Sequence, residues 1–332
     1  MKDKRYYETK FCSPVSACLL ALVVIFSFSF AQAAEDSGFY PGKLAIAKGK
    51  NLSAEERQVE ARFAEYLETH TDEAIARYTA KYGKEINTDN ARELSADYAP
   101  GGPDAEDPAT KLARTKWSAA VQEPSSALSK EIYRRALQKV PGPGQRKQVV
   151  FTGGGAGAGK TTSIEQIAGL SRAVDAAEVI YDTTLSNLKS SMDRVAQGVA
   201  AGRTVSIIFV YRDPIDSFVN GVLPRAERMG RTLPLEVFLD THIGAVEVLE
   251  KIAHTYKGDD RVAIAVIDNS RGRGQAAAAD IGFVKTMAGK YRREELKAKL
   301  SKALDEAYEK GKKREKNGIS EVVYKAIKGH AP

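Results

Sequence analysis

The run Gln148–Ile167, QVVFTGGGAGAGKTTSIEQI, gathers the residue types that chemistry on phosphates requires. Gly154, four residues, then Gly159-Lys160-Thr161 fills the pattern G-x-x-x-x-G-K-[ST] in full. An apolar run precedes it and a helical pattern follows, so the stretch reads as strand, glycine-rich turn and helix start. The glycines let successive N–H groups turn toward a phosphate, and the new helix N-terminus adds favourable partial charge. Gly154, Gly155, Ala156, Gly157, Ala158, Gly159, Lys160, Thr161 and Thr162 are therefore the candidate cradle for the phosphates of ATP or GTP. In such a P-loop, Lys160 reaches the β- and γ-phosphates and the Thr161 hydroxyl holds Mg²⁺. The loop implies nucleotide binding only. Any group transfer has to be argued from other residues.

Two further stretches carry charge where that chemistry needs it. EVIYDTTLSN ends an apolar strand at Asp182-Thr183-Thr184. A carboxylate at the C-terminal end of a sheet strand faces the crevice where α/β proteins bind ligands, which suits Asp182 to hold Mg²⁺ through water. The competing reading makes Asp182 the N-cap of the next helix. Farther on, Arg225, Arg228 and Arg231 fall close together, with Gly230 and Pro234 ending a helix and opening a loop. Such a segment can clamp a transferred phosphoryl group. The alternative is a surface helix whose arginines pair with Asp216 or Glu227.

These residues resemble the zeta toxin family of P-loop kinases. The quoted matches are GGGAGAGKT, IYDTT, GRTVSIIFVYRDPIDS, Arg225, GRTLP with Arg231, and the strand VAIAVIDNS, together spanning roughly Gln148 to Ser270. The family places a strand ending in N-x-D-x-x-R and a glutamate helix after its P-loop, and here no room is left for them. Both are found upstream: EINTDNARELSADY holds Asn87, Asp89 and Arg92 in that spacing with a tyrosine after it, and AVQEPSSALSKEIYRRAL holds Glu123 and Ser126. The inferred arrangement is a reordered chain, with the acceptor-side strand and helix first and the P-loop unit second, which a parallel sheet tolerates.

The resemblance implies ATP and Mg²⁺ as cofactors and a small-molecule hydroxyl as acceptor, a nucleotide sugar such as UDP-N-acetylglucosamine. It makes Asp89 the base for the acceptor hydroxyl, and Lys160, Arg225 and Arg231 the groups that stabilise the moving phosphoryl. Asn87, Arg92, Glu123, Ser126 and Thr184 position the acceptor. Two other classes stay open: an exported nucleotide-binding envelope or interaction protein without kinase activity, and a polynucleotide kinase or NTPase. Nothing in the sequence names an antitoxin or envelope partner, and no aromatic platform lies beside a basic groove to signal nucleic acid.

The elements that must position these residues follow from pattern. Strand candidates are Gln148–Thr152, Glu178–Asp182, Val205–Tyr211 and Val262–Asp268, with Lys84-Glu-Ile-Asn87 as a short fifth. Helices follow Lys160, Leu185, Pro214, Leu235 and Phe283. Near-continuous apolar strands such as VSIIFV and VAIAVI predict an α/β fold, a P-loop NTPase-type parallel sheet with helices on both faces. Ahead of it, Ser53 and Glu56 form a capping box for a helix that breaks near Thr71, and Gly83 ends the second helix. APGGPDAEDPAT reads as a loop. Behind it, Leu296, Leu300 and Leu304 make one stripe of a solvated amphipathic helix rich in Lys and Glu. The domains expected are 1–33 signal peptide, 34–83 linker and helical extension, 84–290 P-loop kinase domain, and 291–332 basic helical extension.

The whole chain, 332 residues, carries a formal charge of +7. Lys2, Lys4, Arg5 and Lys10 against Asp3 and Glu8 supply two of these charges, leaving a mild +5 that does not select nucleic acid over small anions. A basic start, the apolar run from Ala17 to Phe30 and Ala31-Gln32-Ala33 form a signal-peptide pattern that predicts export; an uncleaved leader anchored in the inner membrane is the alternative. Cys12 and Cys18 both lie in that leader, which excludes disulfide, zinc-knuckle and thiol chemistry after cleavage. His70, His242, His254 and His330 have no ligand spacing and read as ordinary core or surface histidines.

Overall fold

A computed structural model describes residues 44–272 and 274–329. The leader, its cleavage site and the start of the linker lie outside the described residues. Among the described residues, no helix is long and apolar enough to cross a membrane.

The centre of the fold is β2 (Arg146–Gly153), whose Val149, Val150 and Phe151 are fully buried. The other strands are β1 (Glu85–Asn87), β3 (Ala177–Asp182), β4 (Thr204–Tyr211), β5 (Val262–Asp268) and β6 (Ala277–Ala279). The sheet order is β1-β3-β2-β4-β5-β6. The first five strands run parallel, and β6 returns antiparallel to β5. Parallel strands buried on both faces need apolar side chains at successive positions, and the runs VSIIFV and VAIAVI supply them. One face packs Val150, Ile208, Val210 and Ile267 against Ile164 of the P-loop helix. The opposite face sets Phe209, Tyr211 and Val266 against Ala245, Val246 and Leu249 of the helix Leu235–Thr255. Tyr133, on the helix Gln122–Gln138, meets Phe151 and Tyr181 edge-on at ring distances of 5.9 and 5.2 Å.

β1 comes first in the chain yet lies beside β3. In register, Asn87 stands opposite Asp182, and Asp182 opposite Thr152. The carboxyl ends of three strands thus present Asn87, Asp182 and Thr152 in one row, at the end of the sheet where ligands of open α/β folds bind.

Several boundaries differ from the sequence reading, each for a local reason. The capping box of Ser53 and Glu56 forms, and the first two helices, Ala54–Thr69 and Thr71–Tyr82, meet at His70. The predicted loop gives way at Pro108 to a helix, Pro108–Trp117, because the Asp107 side chain accepts the Thr110 N–H and proline suits the first helical position. The helix after β3 starts at Leu188, since Asn187 is its cap and Leu185 takes a φ of 52°. Asp182 therefore caps no helix. The P-loop helix stops after Glu165, and a second one, Ala168–Ala176, begins beyond it. A π-helical turn, Phe218–Val222, leads into the arginine helix Leu223–Met229. The helix after β6 begins at Ile281 on an Asp280 cap. β6 itself, three alanines, has no branched residue to announce it. The stripe of Leu296, Leu300 and Leu304 on the helix Arg293–Lys312 is fully packed, against Phe218, Val222, Leu223, Leu235 and Phe238. That cluster includes the π-turn and the arginine helix, so the C-terminal helix supports the segment that carries Arg225.

Candidate active site at the carboxyl end of the sheet

The cradle grows straight out of β2. Gly154 has φ 128°, and a Cβ there would sit 2.2 Å from the Val210 carbonyl oxygen, so only glycine lets the loop pass so close to β4. Gly159, in the left-handed region at φ 77°, caps the helix Lys160–Glu165 and points its first N–H groups at the loop. The loop is held on its outer side. Gly154 N–H donates to the Thr184 carbonyl at 3.3 Å, while the Thr184 and Ser186 hydroxyls pair at 2.8 Å. His242, Arg212 and Asn269 donate to the carbonyls of Ala156, Gly157 and Ala158. The Thr162 hydroxyl donates back to Gly159 O at 3.1 Å, and the Thr161 side chain is exposed.

Lys160 lies 3.5 Å from Asp182 Oδ1, and its side chain is 17% exposed. Thr152 donates to that same oxygen at 2.6 Å, and Asn87 donates to Oδ2 at 2.6 Å. Asp182 thus ties the ends of β1, β2 and β3 to the cradle lysine. Both of its oxygens already accept hydrogen bonds, an arrangement that suits contact with a cation through water better than direct ligation. The donor set of Thr161 hydroxyl and Asp182 carboxylate is all oxygen, as Mg²⁺ prefers. Among the described residues no group of three or more His, Cys, Asp or Glu forms a self-sufficient metal cage. A cation here would draw most of its ligands from phosphate and water.

Asp89 is placed by the short helix Thr88–Arg92, which Asn87 caps by accepting the Asp89 N–H at 2.7 Å. Its carboxylate, 36% exposed, lies 3.3 Å from Arg92 and 3.3 Å from Arg225. Burial pushes this carboxyl up, but the combined charge of Arg92, Arg225, Arg231 and Lys160 overrides it and holds the group down at about 2. Lys160 is thus among the charges that act on Asp89, although 70 residues of chain lie between them.

Arg231 is held from behind. Glu93, buried at the end of the same short helix, binds Arg231 with one oxygen and the fully buried Arg114 with the other, the latter at 2.8 Å. Arg114 in turn donates to the carbonyls of Ala105 at 2.6 Å and Pro103 at 3.0 Å. Burial works against the Arg231 charge, and Glu93 and Asp89 outweigh it, raising its affinity for the proton. Arg92 donates to the Ser118 hydroxyl at 3.3 Å and to Gln122, the residue before Glu123. Glu123 and Ser126 stand half-buried at the start of that helix, reached through Gln122.

The structure brings together Asn87, Asp89, Arg92, Lys160, Asp182, Arg225 and Arg231. It leaves Arg228 outside, against the Met229 sulfur. The surface pairings of the arginine helix do not form: Asp216 binds Arg212 and Asn220, and Glu227 binds Ser320. Sequence reasoning gave no role to Glu93, Arg114 and Arg212, and read His242 as an ordinary core or surface histidine. Asn269 stood inside the quoted strand VAIAVIDNS but carried no role. None had a local signal, because each gains its partner only when distant segments meet.

The zeta toxin family model matches residues 171–275. The zeta toxin segment runs through β3, β4 and β5 and contains Asp182, Arg225 and Arg231. Lys160 and Asp89 lie outside it. The match supports a P-loop, kinase-like phosphotransferase that uses nucleotide. No curated protein matches the chain.

Proposed function

We propose that this protein transfers the γ-phosphoryl group of ATP to a hydroxyl of a small molecule, and that the acceptor is a nucleotide sugar. The observation that carries the transfer is the meeting of Lys160, at the cradle, with Asp89 and its ring of arginines at one end of one sheet. In the proposed reaction the Asp89 carboxylate accepts the proton of the acceptor hydroxyl as that oxygen bonds to the γ-phosphorus. The bond from the γ-phosphorus to the β,γ-bridging oxygen breaks and ADP leaves. An ionised, weakly basic Asp89 suits this role, because a loose phosphoryl transfer needs orientation more than proton affinity. Lys160, Arg225 and Arg231 stabilise the negative charge on the moving group. Bound Mg²⁺, held by the Thr161 hydroxyl and through water by Asp182, would neutralise phosphate charge. In this reading Arg92, with Ser118 and Gln122, orients Asp89, and Glu123, Ser126 and Thr184 are assigned to positioning the acceptor.

Support for a nucleotide sugar is the upstream N-x-D-x-x-R helix and the Glu123 helix, now adjacent in space. The test is a screen of purified protein with labelled ATP against nucleotide sugars, free sugars and single-stranded oligonucleotides. Label on a nucleotide sugar is the expected outcome. Label on oligonucleotides alone would replace this reading with a polynucleotide kinase, and ATP binding without transfer to any acceptor would leave a binding protein. The leader adds export to the proposal. Cell fractionation of the full chain checks it, with recovery in the cytoplasm as the overturning result.

A further inference from the structure

Three consecutive carbonyls of the cradle each receive one side-chain hydrogen bond, from three separate elements. His242, on the helix Leu235–Thr255, donates from Nε2 to Ala156 O at 2.9 Å. Arg212, one residue past β4, donates from Nη1 to Gly157 O at 3.1 Å. Asn269, one residue past β5, donates from Nδ2 to Ala158 O at 2.8 Å. Thr241, beside His242, accepts the Ala156 N–H on its hydroxyl at 3.4 Å. The packing is close: a Cβ on Gly155 would meet the His242 ring at 2.4 Å.

In a trans peptide the carbonyl and the following N–H point in opposite directions. Tying the carbonyls of Ala156 and Ala158 outward therefore turns the N–H groups of Gly157 and Gly159 the other way. The N–H between them, on Ala158, closes the turn onto Gly155 O at 3.2 Å. Inward-facing amides alternating with a closed turn make an anion-binding concavity. Loops rich in glycine lose this arrangement easily, because several backbone conformations cost them little.

We propose that His242, with Arg212 and Asn269, is a positioning residue for nucleotide binding, holding the cradle's peptide planes so that the Gly157 and Gly159 N–H groups already face the phosphate site. The proposal rests on reading the cradle as a nucleotide site. Preorganisation of this kind raises affinity by removing the cost of ordering the loop at the moment of binding. The His242 ring, 4.4 Å from Phe238 and tilted against it, is kept neutral because loss of hydration pushes it down to about 4. Its Nε2 carries the proton, since a carbonyl can only accept.

The test is calorimetric titration of the purified full chain with ADP and Mg²⁺, alongside hydrogen exchange of the cradle amides. H242F keeps an aromatic ring, somewhat larger than imidazole, and removes the donor; it should bind ADP about tenfold more weakly and exchange faster at residues 154–162 while retaining its melting transition. H242Q, whose amide can reach with a similar donor, should recover most of the loss. N269L reads the same brace from the opposite side and should weaken ADP several-fold even if H242F fails to fold. K160A is the control for the nucleotide reading. If K160A binds ADP as tightly as the parent, the nucleotide site itself is wrong. If K160A loses binding while folded H242F and N269L both keep parental affinity, the site stands and the brace is refuted.

Discussion

The two halves of the proposed site are built in different ways. The donor half is one continuous run, Gly154–Thr162, whose glycines and lysine occupy their places by spacing alone. The proposed acceptor half is assembled from Asn87, Asp89, Arg92, Glu93, Arg114, Arg225 and Arg231, drawn from the end of β1, the short helix after it, the helix Pro108–Trp117 and the segment after the π-turn. Backbone N–H groups serve the first, and long side chains held by buried charge serve the second. A contiguous loop depends on local conformation. A ring of guanidiniums around one carboxylate depends on every distant element arriving in register. The two should therefore fail differently when damaged.

Removal of the Asp89 carboxylate is expected to separate the halves most widely. D89A should lower phosphoryl transfer by ~10²–10⁴-fold and leave ADP binding by the cradle intact. Steady-state rates set beside an ADP titration check this, and unchanged turnover would remove Asp89 from its role. The next effect is on stability. Arg114 and Glu93 form a buried pair, and removing Arg114 breaks it and leaves Glu93 with Arg231 as its remaining counter-charge. R114A should cost about 3–5 kcal/mol in a denaturant melt. The loss should reach Arg231 as well, because Glu93 would then hold only one of its two arginines. A melt within about 0.5 kcal/mol of the parent would show that the acceptor half does not depend on this buried frame.

The donor half should respond to acid instead. His242 titrates at 6.5 when exposed and at about 4 in the fold. Between those values the unfolded chain binds the extra proton, so the contribution of His242 is complete above pH 6.5 and declines as pH falls toward 4. Melts of the parent and H242Q across that window should converge as pH drops, and parallel curves would argue against the shift. The smallest effect is expected at Arg228, which lies outside the cluster. R228A should change transfer less than about twofold and stability by less than about 0.5 kcal/mol. A large loss there would mean that the segment reorganises during turnover and that Arg225 and Arg231 do not act alone.

Much of the fold was legible because parallel buried strands need unbroken apolar runs. β2, β3, β4 and β5 each have one and were found within two residues of their ends. β6 has only alanines, and the helix Pro108–Trp117 starts inside a loop-like composition, so neither announced itself by pattern. In the site, the cradle could be read because its geometry comes from glycine φ angles and the first N–H groups of one helix. Asp89 and Arg92 could be placed together because they stand three positions apart on a helical turn. The pairing of Asp89 with Arg225 was out of reach, since it spans 136 positions.

The sequence by itself determined that a phosphate cradle sits between an apolar strand and a helix, because spacing and glycine stereochemistry are local. It also supplied the carboxylate and the arginines. Only the tertiary structure decided that β1 lies next to β3, which puts Asn87 on Asp182 and carries Asp89 into the field of Lys160. Only it placed Glu93 behind Arg231 and His242 behind Ala156. The physical reason is common to all of these: charges and hydrogen-bond donors act over a few ångströms of space, and how many residues separate them along the chain does not enter.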